Sequence, residues 1–416
     1  MMKLLANSEQ IVTVNTDGKN LKRGVDQGDI GILTEHAIIV EDHTIKDLIP
    51  NSSIKNPSKY DIIDLQEKII LPGLVECHTH AAFAGSRANE FKLRLQGKSY
   101  EDIAKSGGGI ISTVSAVRDS SLNELVKLLI PRVKYFISQG ITTLEIKSGY
   151  GLDLENEIKL LEAIKKMKSM FTIDIIPTFL GAHTYPPEFK DDHKGYLDLI
   201  IKKMLPEIAE KKLAKFCDAF CEWTAFSAEE VDTIFTKAEE LGFYLRLHTE
   251  QFNNIGGLEL ALAHETVSVD HLEVMTDRHI FKLAAFDIVA VLLPGVSFFL
   301  NYDYAPARKL IDNNAIVAIS TDYNPGSSHI SNLNLVMSIA AIQMKMTIEE
   351  IISSVTINAA KAVMKNNEVG SIEIGKKADF AVFNAQDYSE IIYNVGKNLN
   401  TMTIKNGKII YQSNDL

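Results

Sequence analysis

From residue 69 to residue 319 the chain alternates short apolar, β-branched runs with longer stretches in which apolar residues recur every three or four positions among charges. The short runs cover residues 69–75, 142–146, 174–180, 216–220, 244–247, 266–269, 288–293 and 316–319. Nearly continuous apolar runs of this length predict strands covered on both faces, and the amphipathic stretches between them predict crossover helices. Helices are expected over residues 121–138 and 154–168, and Ser227-Ala228-Glu229-Glu230 has the form of a capping box opening another. Strand and helix repeating eight times predicts an α/β fold, a closed (β/α)8 TIM-like barrel.

The two ends do not follow the repeat. Residues 1–66 hold strand-like pieces such as 37–40 and turn signals at Asp17-Gly18 and Asn56-Pro57. From residue 370 the pattern is similar, with strand-like segments at 378–383 and 401–404 and a hairpin signal at Lys405-Asn406-Gly407-Lys408. The expected organisation is a barrel over residues 67–369 and one small β-sandwich domain built from residues 1–66 and 370–416.

Composition narrows the class. The chain has 416 residues, 46% hydrophobic and 23% charged, which suits a globular protein of this size. A net charge of -11 argues against a nucleic-acid partner, since phosphate backbones recruit basic surfaces. No apolar segment long enough for a signal peptide develops after Lys3-Leu4-Leu5-Ala6, and the apolar stretch at 288–300 is broken by Pro294-Gly295 and too short to span a bilayer. The expectation is a cytoplasmic protein without a membrane partner. Cys77, Cys217 and Cys221 are expected as reduced thiols. Cys217 and Cys221 share a strand face, but their segment offers too few further ligands for a metal, so packing is the preferred reading.

Candidate chemistry sits where the strands end. In an α/β barrel the working groups lie at the C-terminal ends of the strands. The first run leads into His78-Thr79-His80, and alternation along a strand lets two imidazoles separated by one residue converge on one ion. Other strands end in Lys147-Ser148-Gly149-Tyr150, Gly181-Ala182-His183, Leu247-His248-Thr249-Glu250-Gln251, Asp270-His271 and Thr321-Asp322. Taken singly, a histidine here is a core residue and an aspartate a helix cap. Their placement on separate strand ends favours a metal site. Gly107-Gly108-Gly109 lacks the Lys-Ser or Lys-Thr that a phosphate loop needs, and is read with Tyr100 as a loop closing over the site.

The block Pro72-Gly73-Leu74-Val75-Glu76-Cys77-His78-Thr79-His80, with His248 and Ser320-Thr321-Asp322, resembles the amidohydrolase superfamily. Four longer stretches narrow the resemblance to its imidazolonepropionase family, over almost the whole chain. They are Thr79-His80-Ala81-Ala82-Phe83-Ala84-Gly85-Ser86-Arg87, Ser99-Tyr100 through Gly107-Gly108-Gly109-Ile110, Lys147-Ser148-Gly149-Tyr150-Gly151 and Asp322-Tyr323-Asn324-Pro325-Gly326-Ser327. That resemblance implies one zinc or iron ion held by His78, His80, His248 and Asp322. It implies hydrolysis of the cyclic amide of 4-imidazolone-5-propanoate to N-formimidoyl-L-glutamate, the third step of histidine degradation. Asp322, His271 and His183 are the implied catalytic residues: Asp322 passes the proton from water to the leaving nitrogen, His271 faces the oxyanion and His183 lies near the ring. Arg87 is the expected partner of the propionate. Tyr100, Tyr150, His183, Gln251 and Ser327 are further substrate contacts, and Asn324 and Gly326 are product contacts. Relatives are homodimers, so a homodimer acting on a small anionic substrate is expected.

Two features test the resemblance. Two-metal relatives carry a bridging group at the end of strand four, where this chain has Phe220-Cys221-Glu222-Trp223, so Glu222 is an alternative ligand although one ion is favoured. Related deaminases place a proton-shuttling glutamate three residues after the strand-five histidine, where Gln251 stands here, with Glu250 expected to face away. The alternatives are a superfamily enzyme that deaminates a ring, and a non-catalytic barrel homologue. Arg87 and Gln251 weigh against the first and the complete ligand set against the second.

Overall fold

Each apolar run lies where it is shielded from water on both faces. The computed structural model describes residues 2–98 and 108–413. Eight parallel strands follow one another in chain order through one curled sheet: Leu74–Glu76, Ile141–Lys147, Asp174–Ala182, Phe216–Cys221, Tyr244–Thr249, Ser268–His271, Val289–Leu292 and Ile316–Ile319. Here they are barrel strands one to eight. Strands two, six, seven and eight are buried along their whole length, as expected where helices cover the outside and side chains fill the inside. The first and last strands meet just beyond their ends: Asp322 N donates to His78 O at 3.2 Å, His80 N donates to Tyr323 O at 3.0 Å, and Thr79 and Tyr323 form a parallel bridge.

The helices begin where their caps say. Leu122–Ser138 and Ala228–Glu240 open on the reciprocal capping boxes Ser121/Glu124 and Ser227/Glu230. Leu154–Met170 opens on Asp153, whose carboxylate accepts from Asn156 N.

The first apolar run differs from expectation. Residues 69–75 were expected as one barrel strand, and they form two. Ile69–Pro72 pairs antiparallel with Phe380–Phe383 and parallel with Gln10–Val12, in a different sheet, and only Leu74–Glu76 enters the barrel. The chain crosses between the sheets at Gly73, where a Cβ would sit 2.3 Å from the Thr142 hydroxyl. Hydropathy could not mark the crossing, because both halves are buried.

The chain ends pair as expected. One sheet runs Thr44–Pro50, His36–Glu41, Met2–Ala6, Asp61–Asp64, and the other Lys408–Gln412, Asn400–Lys405, Phe380–Phe383, Ile69–Pro72, Gln10–Val12, Ile32–Leu33. Leu5, Ile38 and Val40 of the first sheet share one core with Ile70, Phe380, Val382 and Ile404 of the second, so the two form a sandwich. The alternate residues Ile69, Leu71, Ala381 and Phe383 turn to the core of the barrel. Asn406 and Gly407, both at positive φ, close the last hairpin.

A buried cation joins sandwich to barrel. Lys405 Nζ lies 2.6 Å from Asp379 of the sandwich and 2.7 Å from Asp174 at the start of barrel strand three, with the lysine side chain 1% exposed. Removing one partner of a buried pair strands the other charge, a cost of about 3–5 kcal/mol. Lys405→Met is therefore expected to lower unfolding free energy by about that amount in urea titrations. A loss below about 1 kcal/mol would show that the bridge does not hold the two parts together.

Candidate metal centre and substrate pocket

Thr79 sets the direction of the histidines on either side of it. Its N–H donates to Glu145 Oε2 at 2.9 Å, its hydroxyl to Glu145 O at 2.7 Å, and its carbonyl accepts from Lys147 N at 2.9 Å. Clamped this way against strand two, residue 79 leaves His78 and His80 facing the barrel axis. His78 Nε2 and His80 Nε2 each lie 3.2 Å from Asp322 Oδ1, and His248 Nε2 lies 3.3 Å from His80 Nε2. The ligand atoms of the three histidines fall within 4.8 Å of one another. His78 Nε2 and Asp322 Oδ1 are nevertheless buried without a hydrogen-bond partner. Converging lone pairs with no proton between them leave an unpaid desolvation cost that a cation removes. Three imidazoles and one carboxylate are a donor set that suits a divalent metal ion.

Behind the ligands stand carboxylates. His78 Nδ1 donates to Asp270 Oδ2 at 2.6 Å and His248 Nδ1 to Asp218 Oδ1 at 2.9 Å. An ionised carboxylate only accepts, so each Nδ1 carries the proton and each Nε2 lone pair faces the centre. Burial pushes His80 and His248 below the ordinary imidazole range, which keeps them neutral. Asp322, Glu250 and His271 all have left-handed φ, at 49°, 55° and 87°. Such backbone is uncommon outside glycine and marks side chains re-aimed at strand ends.

Of the predicted pocket residues, His183 and Tyr150 adjoin His80, and His271 adjoins His78 and His248. His183 stacks on His80 with ring centroids 5.1 Å apart, and its Nδ1 donates to Gly149 O at 2.8 Å, leaving Nε2 as an acceptor. Burial and the neighbouring His80 push it down to about 3. Tyr150 lies 5.3 Å from His183, ring to ring. His271 lies 5.5 Å from His248, and its Nδ1 is 3.4 Å from Glu273. Burial alone would lower His271, and the Glu273 carboxylate more than reverses this. Gln251 Nε2 donates to Tyr302 Oη at 2.9 Å, so its carbonyl is the end left for a ligand. Asn324 uses both ends of its amide inside its own loop, donating to Asp322 Oδ2 at 2.9 Å and accepting from Gly326 N and Ser327 N at 2.7 Å. Arg87 pairs with Glu90 at 2.8 Å and lies against Gly326, where a Cβ would meet Nη1 at 2.1 Å. Tyr100 and Gly107 lie outside the described residues.

The model of the amidohydrolase family matches residues 69–410. The chain belongs to the amidohydrolase family. It is 42% identical to the imidazolonepropionase of Alkaliphilus oremlandii over 99% of this chain and 98% of that one. It is 47% identical to that of Caldanaerobacter subterraneus over 82% and 83%. Among solved structures, a triazine hydrolase from Arthrobacter aurescens superposes with a TM-score of 0.76 at 14% identity, covering 99% of this chain and 95% of that one. An adenosine deaminase from Xanthomonas campestris with bound zinc gives 0.73 at 16% identity, covering 99% and 93%. At such identities these two likenesses speak to the amidohydrolase fold alone.

Glu222 is not placed as a second-metal ligand. Its Oε1 accepts from the backbone N–H of Gln251 at 2.8 Å and Phe252 at 3.0 Å, and its Oε2 from Asn253 Nδ2 at 3.2 Å, so it ties down the loop after strand five. At the end of strand four the Phe220 ring lies 6.0 Å from His248. Glu250 faces away, 2.6 Å from His279. The sequence reading missed Asp218, Glu273 and Tyr302. Asp218 could have been found, because a charge inside the apolar run 216–220 needs a buried partner. Tyr302 follows strand seven, where no motif drew attention.

These contacts predict about one ion per chain in both the native protein and Glu222→Gln, read by metal analysis after zinc reconstitution. A fall to less than half in the variant would place Glu222 among the ligands.

Proposed function

We propose that the chain is an imidazolonepropionase, hydrolysing the cyclic amide of 4-imidazolone-5-propanoate to N-formimidoyl-L-glutamate in histidine degradation. The observation that carries the reading is the position of Arg87: in a chain this similar to relatives bearing that name, its guanidinium lies against Gly326, four residues past Asp322. The proposed carboxylate receptor therefore adjoins the loop that carries Asp322.

His78, His80, His248 and Asp322 would hold one zinc or iron ion, which would supply water activation and polarisation of the ring carbonyl. Asp322, ionised and accepting from Asn324, takes the proton of the attacking water and delivers it to the ring nitrogen as the carbon–nitrogen bond breaks. His271, raised by Glu273, faces the oxyanion with a donor. His183 is neutral with Nε2 as acceptor, which suits a ring N–H rather than the oxyanion. Gln251 offers its carbonyl in the same sense, and an amide at this position cannot shuttle protons as a deaminase glutamate does. Arg87 receives the propionate, Tyr150 and Ser327 line the substrate, and Asn324 and Gly326 meet the product. Glu90 keeps the Arg87 guanidinium in place before the substrate arrives. The proposed enzyme works as a cytoplasmic homodimer, with the barrel entered at Leu74 between the two sandwich segments.

Incubation with imidazolone propionate is expected to bleach its ultraviolet absorbance. Unchanged absorbance, with ammonia released from a nucleobase or triazine instead, would overturn the assignment. Asp322→Asn is expected to abolish turnover while the melting curve of the metal-free protein stays within a few degrees. Arg87→Met is expected to raise KM by about 10- to 100-fold with little change in kcat, the value of a charge-assisted pair. A carboxylate-free analogue should be hydrolysed equally by both proteins; an unchanged KM for the natural substrate would move the propionate elsewhere.

A further inference from the structure

Below the ligand histidines lies a layer of ionic side chains that the mechanism above does not use. Glu145, Lys147, Asp218, Arg246 and Asp270 are all fully buried, on barrel strands two, four, five and six. Pairing in the sheet sets them on successive levels: Asp218 is opposite Arg246, and Asp270 is two residues further along, opposite His248. Lys147 Nζ lies 2.8 Å from Asp218 Oδ2, whose other oxygen holds His248. Arg246 Nη2 lies 2.9 Å from Asp270 Oδ2, the same oxygen that holds His78. We propose that Lys147 and Arg246 are positioning residues for the metal, each fixing the carboxylate that orients one ligand imidazole with its Nε2 lone pair toward the centre. The proposal rests on the ligand set given above.

A purely structural role fits these residues poorly. Barrel interiors are filled by branched apolar side chains, and replacing a buried ion pair by apolar groups of similar volume is often neutral or stabilising. Arg246 is also badly satisfied as a hydrogen bonder, with Nε and Nη1 both buried and unpartnered. What it supplies to Asp270 beyond that single contact is charge. The same holds for the layer as a whole: Lys147 and Arg246 offset two of the four carboxylates of Glu145, Asp218, Asp270 and Asp322, leaving two negative charges for a divalent cation. Lys147 also reaches the other pair of ligands, because it bonds Glu145 Oε1 at 3.0 Å while Glu145 Oε2 clamps Thr79. A carboxylate held by a cation stays an acceptor, and an acceptor at Nδ1 leaves one tautomer available.

A double-mutant cycle separates this role from packing. Wild type, Lys147→Met, Asp218→Asn and K147M/D218N would be compared for Zn2+ affinity by competition with a chromophoric chelator, and for folding by thermal melts of the metal-free protein. Asp218→Asn is expected to weaken Zn2+ binding about 10- to 100-fold, the usual effect of losing such a partner. Lys147→Met is expected to weaken it similarly, and K147M/D218N to bind no more than about twofold more weakly than Asp218→Asn alone, since the lysine acts through the aspartate. If Lys147→Met fails to fold, Lys147→Gln, which keeps a donor without the charge, takes its place in the cycle. Unchanged affinity in the Lys147 variant or in Asp218→Asn, or a further tenfold loss in the double variant, would overturn the proposal. Failure of the wild type to bind Zn2+ would instead overturn the ligand set. Arg246→Met and Asp270→Asn form the equivalent cycle at His78.

Discussion

The hydrogen bonds that close the barrel are the same ones that assemble the centre. Strand one and strand eight, about 240 residues apart in the chain, meet through Asp322 N to His78 O and His80 N to Tyr323 O. Two ligands on one side and one on the other are thereby brought within 3.2 Å. Glu76 reinforces the seam from below, accepting from the Ser320 hydroxyl and from Thr321 N. Burial pushes its carboxyl up to about 8, so at neutral pH it spans the two strands without adding a full charge beneath the ion. Any slip of register at this seam would move His78, His80 and Asp322 together out of reach of His248.

Much of this was readable because barrel strands are buried on both faces and therefore appear as plain apolar runs. Strand eight, Ile316–Ile319, lies where the hydropathy pattern put it, and the candidate ligand Asp322 follows shortly after its end. The pattern failed where burial does not distinguish one environment from another. Ile69–Pro72 and Leu74–Glu76 are equally buried in different sheets, and only Gly73, pressed against Thr142, carries the difference. It failed again at Glu222, because a carboxylate after a strand reads alike whether it accepts backbone N–H groups or binds a metal. The left-handed backbone of His271 and Asp322 had no signature either, since no glycine or asparagine marks it.

Carboxylates do a second job in this fold. Glu157, fully buried, accepts from the backbone N–H of Gly149, Gly151 and Leu152, and so holds the loop that carries Tyr150. Glu222 does the same for the loop that carries Gln251, and Glu145 for Thr79. Loops at a barrel mouth have no strand partners, and a single acidic side chain can satisfy two or three of their N–H donors at once. The desolvation cost falls on the carboxylate, as the raised Glu157 shows, and the return is backbone held rigid where it faces the substrate.

The pocket is consequently built in two halves of different stiffness. The half that holds the candidate metal donors is buried, with Asp270 behind His78, Asp218 behind His248 and Asn324 on Asp322. The half around Arg87, proposed to receive the propionate, is looser: Arg87 is 16% exposed, leans on Gly326, and is held by the carboxylate of Glu90. Chemistry at a fixed ion tolerates little displacement of its donors. An anionic tail can be received by a guanidinium that trades part of its pairing with Glu90 for the incoming carboxylate, since both partners offer the same planar pair of acceptors. Rigidity is thus spent where atoms react, and adjustable charge is placed where the substrate is chosen.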